Sequence, residues 1–341
     1  MDGFESSSRP QALAKAFSVL LCAGKGNEVR LFLGKSRPES GCFVNTRTKN
    51  AVAFAALGIV WGTTWVAADT LAGYVPPLRG AAARFLLAAL VCIPVILWKR
   101  LKLPRDGTLG FILILSVTMI VVPFLLLIWA QPRVPSATVA VSFAAMPLMV
   151  VLLTPVLAGR DVPRIAMQAS IVGLGAIVVA LGATFSLVQA GGAAVVLLAV
   201  ASIGASSILA RRELSGVHPV VVTTLVLGAA ALLLFLASLA LEQGQPVQWN
   251  RSAIGSVAFL AVVAGAPAYA TYFWLLQRLE AYQVGTVQWI EPLVATLESA
   301  LFLRVGLSFS MIAGSVVTLA SLLVVMRASV EDDNTVSLLG N

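Results

Sequence analysis

Charge is scarce along this chain: Lys, Arg, Asp and Glu together make up 11% of its 341 residues, where soluble domains carry about a quarter. With 59% hydrophobic residues and a mean hydropathy of +0.95, water is not its main solvent, because a soluble domain has to polarise much of its surface. Cysteine and histidine are scarcer still. Cys22, Cys42 and Cys92 are too few and too scattered for a disulfide framework or a zinc site. The single histidine, His218, stands beside Pro219 in a connection, which excludes a histidine-rich metal centre. No Gly-x-x-x-x-Gly-Lys-Ser/Thr loop is present to cradle a nucleotide phosphate. The net charge of +8 would suit nucleic acid if the cations formed a patch interleaved with aromatics, but they fall between apolar runs. Nucleic acid is therefore excluded as a partner, and no cofactor is implied.

Residues 1–50 differ in kind from the rest. Arg9, Lys15, Lys25, Arg30, Lys35, Arg37, Arg47 and Lys49 are spread among Ser, Gly and Asn without sustained periodicity, which reads as a basic, disordered tail. Residues 16–24 (AFSVLLCAG) imitate the apolar core of a signal peptide, but no small-x-small cleavage site follows. No Met lies between Met1 and Met119, so a second expectation is that the tail is a start-site artefact, with translation beginning nearer Val44.

From Ala51 onward the apolar runs come regularly, at 51–71, 78–98, 109–129, 136–157, 165–187, 192–210, 220–241, 253–276, 282–303 and 307–325. Each has about 20 residues, enough at about 1.5 Å per residue to cross a hydrocarbon core of about 30 Å. Lipid offers no partners to backbone N–H and C=O groups, and runs this long are not the alternating ten-residue strands of a barrel. The fold class is all-α: a polytopic membrane protein of ten transmembrane helices, with the bilayer as its surroundings. With the N-terminus inside, the inner segments hold eighteen Lys and Arg against four in the outer ones, Arg79, Arg133, Arg251 and Arg304. The positive-inside rule then places both termini in the cytoplasm, and the plasma (inner) membrane is the expected location. Residues 327–341, with Glu331, Asp332 and Asp333, form a polar tail.

The runs repeat. Trp61-Gly62-Thr63-Thr64-Trp65 is followed by Pro77 fifteen residues after Gly62, and Ile203-Gly204-Ala205-Ser206-Ser207 by Pro219 fifteen residues after Gly204. Met146-Pro147-Leu148 answers Glu291-Pro292-Leu293, and an Arg follows each Pro 12 or 13 residues on, at Arg160 and Arg304. These anchors divide the chain into five-helix halves, 51–187 and 192–326. Five is odd, so the second half starts from the opposite side of the membrane, an inverted repeat of the kind secondary transporters use. The pattern Trp61-Gly62-Thr63, Pro77, Arg84 and Pro147, echoed at Gly204, Pro219 and Pro292, resembles the EamA-type family of the drug/metabolite transporter superfamily over residues 51–326. The resemblance implies transport of a small-molecule solute. This chain departs from the family's Gly-Glu-Arg endings at Gly159-Arg160-Asp161 and Leu303-Arg304-Val305, and Val226 stands where Arg84 would repeat.

An ionisable group in a membrane helix costs roughly 3 kcal/mol on insertion scales and therefore usually faces the bundle interior. The ninth run carries Glu291 and Glu298, seven residues apart on one face, with Gln288 on the same stripe. Counted from the outer end, Glu291 lies about 18 Å deep, near the midplane, while Glu298 and Arg84 lie about 8–9 Å deep. The expectation is that Arg84 pairs with Glu298 and that Glu291 binds substrate or a proton; the alternatives are snorkelling for Arg84 and a neutral, hydrogen-bonded packing role for Glu291. Tyr269 and Tyr272, three apart, and Trp61 and Trp65, four apart, can line a cavity for an amphipathic or cationic solute or serve in packing. Pro147, Pro267 and Pro292 loosen their helices and are candidate hinges. Gly58 and Gly62 form a small-xxx-small pair for close packing, either within the bundle or across a homodimer.

The chain reads as a secondary transporter, most simply an exporter of a small metabolite or drug, working by alternating access and driven by protons or exchange. A non-transporting membrane scaffold is the rival reading. An intramembrane enzyme fits less well, since His218 has no second histidine beside it and Asp69 is the one Asp within a span.

Overall fold

The computed structural model describes residues 46–104, 107–134, 139, 142–182, 186–290 and 294. Two units divide the chain, Met1–Lys49 and Asn50–Asn341. Of the first, only residues 46–49 are described, as helix. Among the described residues every regular element is helical, and six helices are long and apolar enough to cross a membrane. They are Thr48–Ala72, Pro77–Trp98, Thr108–Arg133, Leu187–Glu213, Pro219–Leu241 and Arg251–Leu276, which match six of the ten runs. A shorter apolar helix, Ser142–Ala158, falls on the fourth run. The tenth run, most of the ninth, residues 1–45, the C-terminal tail, and Glu291, Pro292 and Glu298 lie outside the described residues.

In chain order we label the helices α1 (Thr46–Gly62), α2 (Thr64–Ala72), α3 (Pro77–Trp98), α4 (Thr108–Ser116), α5 (Val122–Ala130), α6 (Met146–Ala158), α7 (Arg164–Gly182), α8 (Leu187–Glu213), α9 (Pro219–Leu241), α10 (Arg251–Val262), α11 (Ala266–Leu276) and α12 (Ala281–Gly285). Apolar residues all round these helices leave one face free of the core. On α3, Ala81, Ala82, Phe85, Ala88, Ala89 and Cys92 are buried, while Leu86, Leu90, Ile93 and Leu97, three or four apart, are exposed. Such a face suits lipid rather than water.

Helix α3 packs most extensively against α9, and the two run antiparallel. Both begin at a proline, which needs no N–H in a first turn. Helix α9 ends at Glu242, whose buried carboxylate accepts the N–H groups of Leu78 at 2.7 Å and Arg79 at 3.0 Å. A carboxylate from 164 residues away therefore caps the free donors at the start of α3. At the other end of the pair, His218 Nδ1 accepts the Val220 N–H and caps α9. The bundle thus has a Pro77 end and a His218 end, each closed by a cap of different chemistry.

Three of the spans are interrupted, and each break has a local cause. Between α1 and α2 the hydroxyls of Thr63 and Thr64 donate back to the carbonyls of Val60 and Trp61, competing with the helix ladder. Between α4 and α5 runs a π-helical turn, Val117–Val121, just before Pro123. A π-turn would aim the Thr118 carbonyl at residue 123, where proline has no N–H. Ser202 of α8 supplies the missing donor at 2.6 Å. Between α10 and α11 the chain breaks at Gly265, and Pro267 is the second residue of the new helix. Here a Cβ on Gly265 would lie 2.7 Å from both Ala88 Cβ of α3 and the Ala261 carbonyl oxygen, so only glycine lets these helices approach. Pro147 likewise stands in the first turn of α6, after a turn at Ala144–Ala145, rather than deep in a helix.

The small-xxx-small pair is used inside the bundle. A Cβ on Gly58 would lie 2.7 Å from Ile290 and one on Gly62 2.5 Å from Val294, both of the same chain. That contact leaves no face at Gly58 and Gly62 for a second copy, so the pair gives no support to a homodimer.

Candidate functional site

The three breaks border a cavity of about 320 Å³, at the lower end of the roughly 300–1,000 Å³ typical of small-molecule sites. It runs from Ala72, Val75, Pro77 and Gln131 at the Pro77 end down to Trp61, Met146, Tyr272 and Gln288. Five residues singled out in the sequence meet on its wall: Trp61, Arg84, Tyr269, Tyr272 and Gln288. Glu291 and Glu298 lie outside the described residues, as does the side chain of Trp65.

Aromatic rings form a continuous chain along the wall. Trp61 packs against Tyr269 with ring centroids 5.5 Å apart and against Tyr272 at 5.3 Å. Phe85 stands edge-on to Tyr269 at 6.1 Å and to Phe124 at 5.4 Å. Offset and edge-to-face geometries of this kind favour the ring quadrupoles and hold the rings rigid. The Trp61 Nε1–H donates to the Ala264 carbonyl at the break between α10 and α11, at 3.4 Å.

Arg84 sits inside this aromatic wall. Its guanidinium carbon lies 4.6 Å from the Phe85 ring centroid and 5.0 Å from that of Phe124, a double cation–π contact. Its Nε is buried and has no hydrogen-bond partner among the described residues. No carboxylate among those residues forms an ion pair with it. Gln288 is buried, and its Oε1 also lacks a partner among the described residues. The cavity thus presents a cation and an amide oxygen in a largely apolar setting.

Towards the His218 end the cavity meets closed packing. Tyr272, fully buried, shares a 2.5 Å hydrogen bond with Ser207 of α8. One turn further along α8, Arg211 donates to the carbonyls of Leu276, at 3.0 Å, and Leu279, and to Glu280 Oε1 at 2.5 Å. Arg160, from the end of α6, reaches the same carboxylate oxygen at 3.3 Å. Gln277 adds bonds to the carbonyls of Leu214 and Val217. The ends of α6, α8 and α11 are tied together through Glu280, which also caps α12 in a capping box with Gln283.

Several of these residues escaped sequence reasoning. Phe85 adjoins Arg84 and could have been suspected, but Phe124 lies on another span with no local cue. Glu280 and Glu242 stand in connections, where a carboxylate ordinarily reads as solvated. Arg211 was legible only as an orienting charge, and Arg160 as that and as an anchor of the repeat.

Comparison with known proteins agrees with the fold and with the family. A crystal structure superposes with a TM-score of 0.67 at 20% identity, covering 81% of this chain and 96% of the other; it shows the fold. The uncharacterized transporter YvbV of Bacillus subtilis (strain 168) is 23% identical over 284 residues, 83% of this chain and 93% of its own. Protein PecM of Dickeya dadantii (strain 3937) is 27% identical over 272 residues, 79% of this chain and 90% of its own. Protein PagO of Salmonella typhimurium is 25% identical over 250 residues, 72% and 82% respectively. The model of the EamA-like transporter family matches twice, over residues 49–182 and 190–327. The chain is a multi-pass membrane transporter and belongs to the EamA-like transporter family.

Proposed function

We propose that the protein is a secondary transporter that exports a small metabolite or drug by alternating access between two inverted five-helix halves, 51–187 and 192–326. Both termini lie on the cytoplasmic side of the plasma membrane, so the cavity opens outward and the Glu280 network closes the cytoplasmic end. The observation that carries the reading is this asymmetry: a cavity reaching the Pro77 end, with hydrogen bonds and ion pairs gathered at the other. Two family-model matches of similar length support the two halves. Alternating access requires a site reachable from one side at a time, and the breaks beside Thr63, Pro123 and Pro267 supply points where a span can bend. Pro147 and Pro292 are hinge candidates on the sixth helix and the ninth run.

Glu291 is the proton or substrate group in this scheme, near mid-depth on the stripe that carries Gln288, with Glu298 further along the same face. The test is an efflux and uptake screen in cells with and without the protein, over amino acids, sugars, nucleosides and charged drugs. A hit is expected to collapse with an uncoupler and to fall at least tenfold in Glu291→Gln. A flux indifferent to both removes proton coupling and Glu291 from the mechanism.

A further inference from the structure

Aromatic cages commonly attract cations, because the ring faces are electron-rich. In this cavity that attraction is already taken up by a side chain: Arg84 lies over Phe85 and Phe124. A cationic solute entering here would meet a fixed positive charge with little water between to screen it. Asp69, the acid among the described lining residues, is exposed at the mouth, where solvent and salt weaken its field. The guanidinium is permanently charged, and no described residue takes its Nε–H. A planar carboxylate matches such a fork with two parallel hydrogen bonds. Beyond Arg84 the wall continues through Tyr269 to Trp61 and Tyr272, rings that offer a stacking surface to a flat body, and Gln288 offers an amide.

We propose that the cavity binds a small organic monoanion with a flat apolar body, its carboxylate held by Arg84 and its body lying on the aromatic wall that Trp61 and Tyr269 form together. This rests on the transport reading for its purpose but not for its test. The volume of about 320 Å³ admits one such molecule and not a chain of them.

Binding to the purified protein in detergent is measured by thermal shift and by quenching of tryptophan fluorescence, with four probes of similar shape. These are an indole carboxylate, its neutral amide, an indole ammonium, and the zwitterion tryptophan. The carboxylate is expected to bind at least tenfold tighter than the amide and the ammonium. Arg84→Gln is expected to abolish that preference while amide binding persists, which shows that the variant is folded; Arg84→Lys keeps part of it. Equal binding of carboxylate and amide, preference for the ammonium or the zwitterion, or no carboxylate binding at all overturns the proposal. Flux in proteoliposomes separates the two readings: a carboxylate bound but not moved sinks transport of it and leaves the anion site standing. A cation moved in an Arg84-independent way sinks the anion site and leaves transport standing.

Discussion

At the scale of single residues, chemistry here depends on what surrounds a group rather than on its type. Arg84 was legible as a rare intramembrane cation, but the second ring of its aromatic setting, Phe124, comes from α5, 40 residues away. His218 was legible only as a lone loop histidine; in the fold it caps α9 through Nδ1, which requires that nitrogen to be unprotonated. Burial first, and then the charge of Lys99, hold its pKa below the usual 6.5. The sign follows: the folded form binds fewer protons than the unfolded one, so this contribution to stability is present above pH 6.5 and is lost as pH falls from there through the folded-state value. Thermal unfolding in detergent is expected to show a lower midpoint at pH 5 than at pH 7.5, and His218→Asn, which caps without titrating, to flatten that difference. An unchanged slope in the variant would remove His218 as its source.

At the scale of elements, the broken spans join sequence to site. Pro267 was legible as a point where a helix loosens, whereas the Trp-Gly-Thr-Thr run was legible only as an anchor of the repeat and a family motif. The π-turn before Pro123 was not legible, because its stability depends on a hydroxyl from another span. Removing that hydroxyl in Ser202→Ala leaves the Thr118 carbonyl without a donor, at a cost of about 1 kcal/mol. Pro123→Ala restores an N–H that can take the same carbonyl. The double variant is therefore expected to unfold at a temperature above that given by adding the two single changes, a coupling that a thermal double-mutant cycle measures. Strict additivity would mean that the Ser202 bond does not compensate for the proline.

For the whole molecule, the decisive property is that its two ends differ. One carries the cavity mouth and the Glu242 cap on α3; the other gathers Arg160, Arg211, Gln277 and Glu280. In the proposed topology, which rests on cation counting, the second end is the cytoplasmic one. In a chain freed of its own cysteines, Ala72→Cys is expected to react with a membrane-impermeant maleimide on intact cells, and Arg212→Cys only after permeabilisation. The reverse pattern would invert the topology and turn the cavity inward.

The sequence by itself determined that the chain lives in a membrane, where six of its spans lie and which family it joins. Insertion depends on the summed hydropathy of each segment, a local and additive quantity that needs no knowledge of neighbours. Only the tertiary structure decided which side chains meet. Helix rotation and crossing are set by close approaches such as Gly265 on Ala88 and Gly62 on Val294, and those are properties of pairs of helices. The scattered Trp61, Arg84, Tyr269, Tyr272 and Gln288 were each conspicuous along the chain, but their gathering around one cavity, and the guanidinium among its rings, exist only once the helices pack.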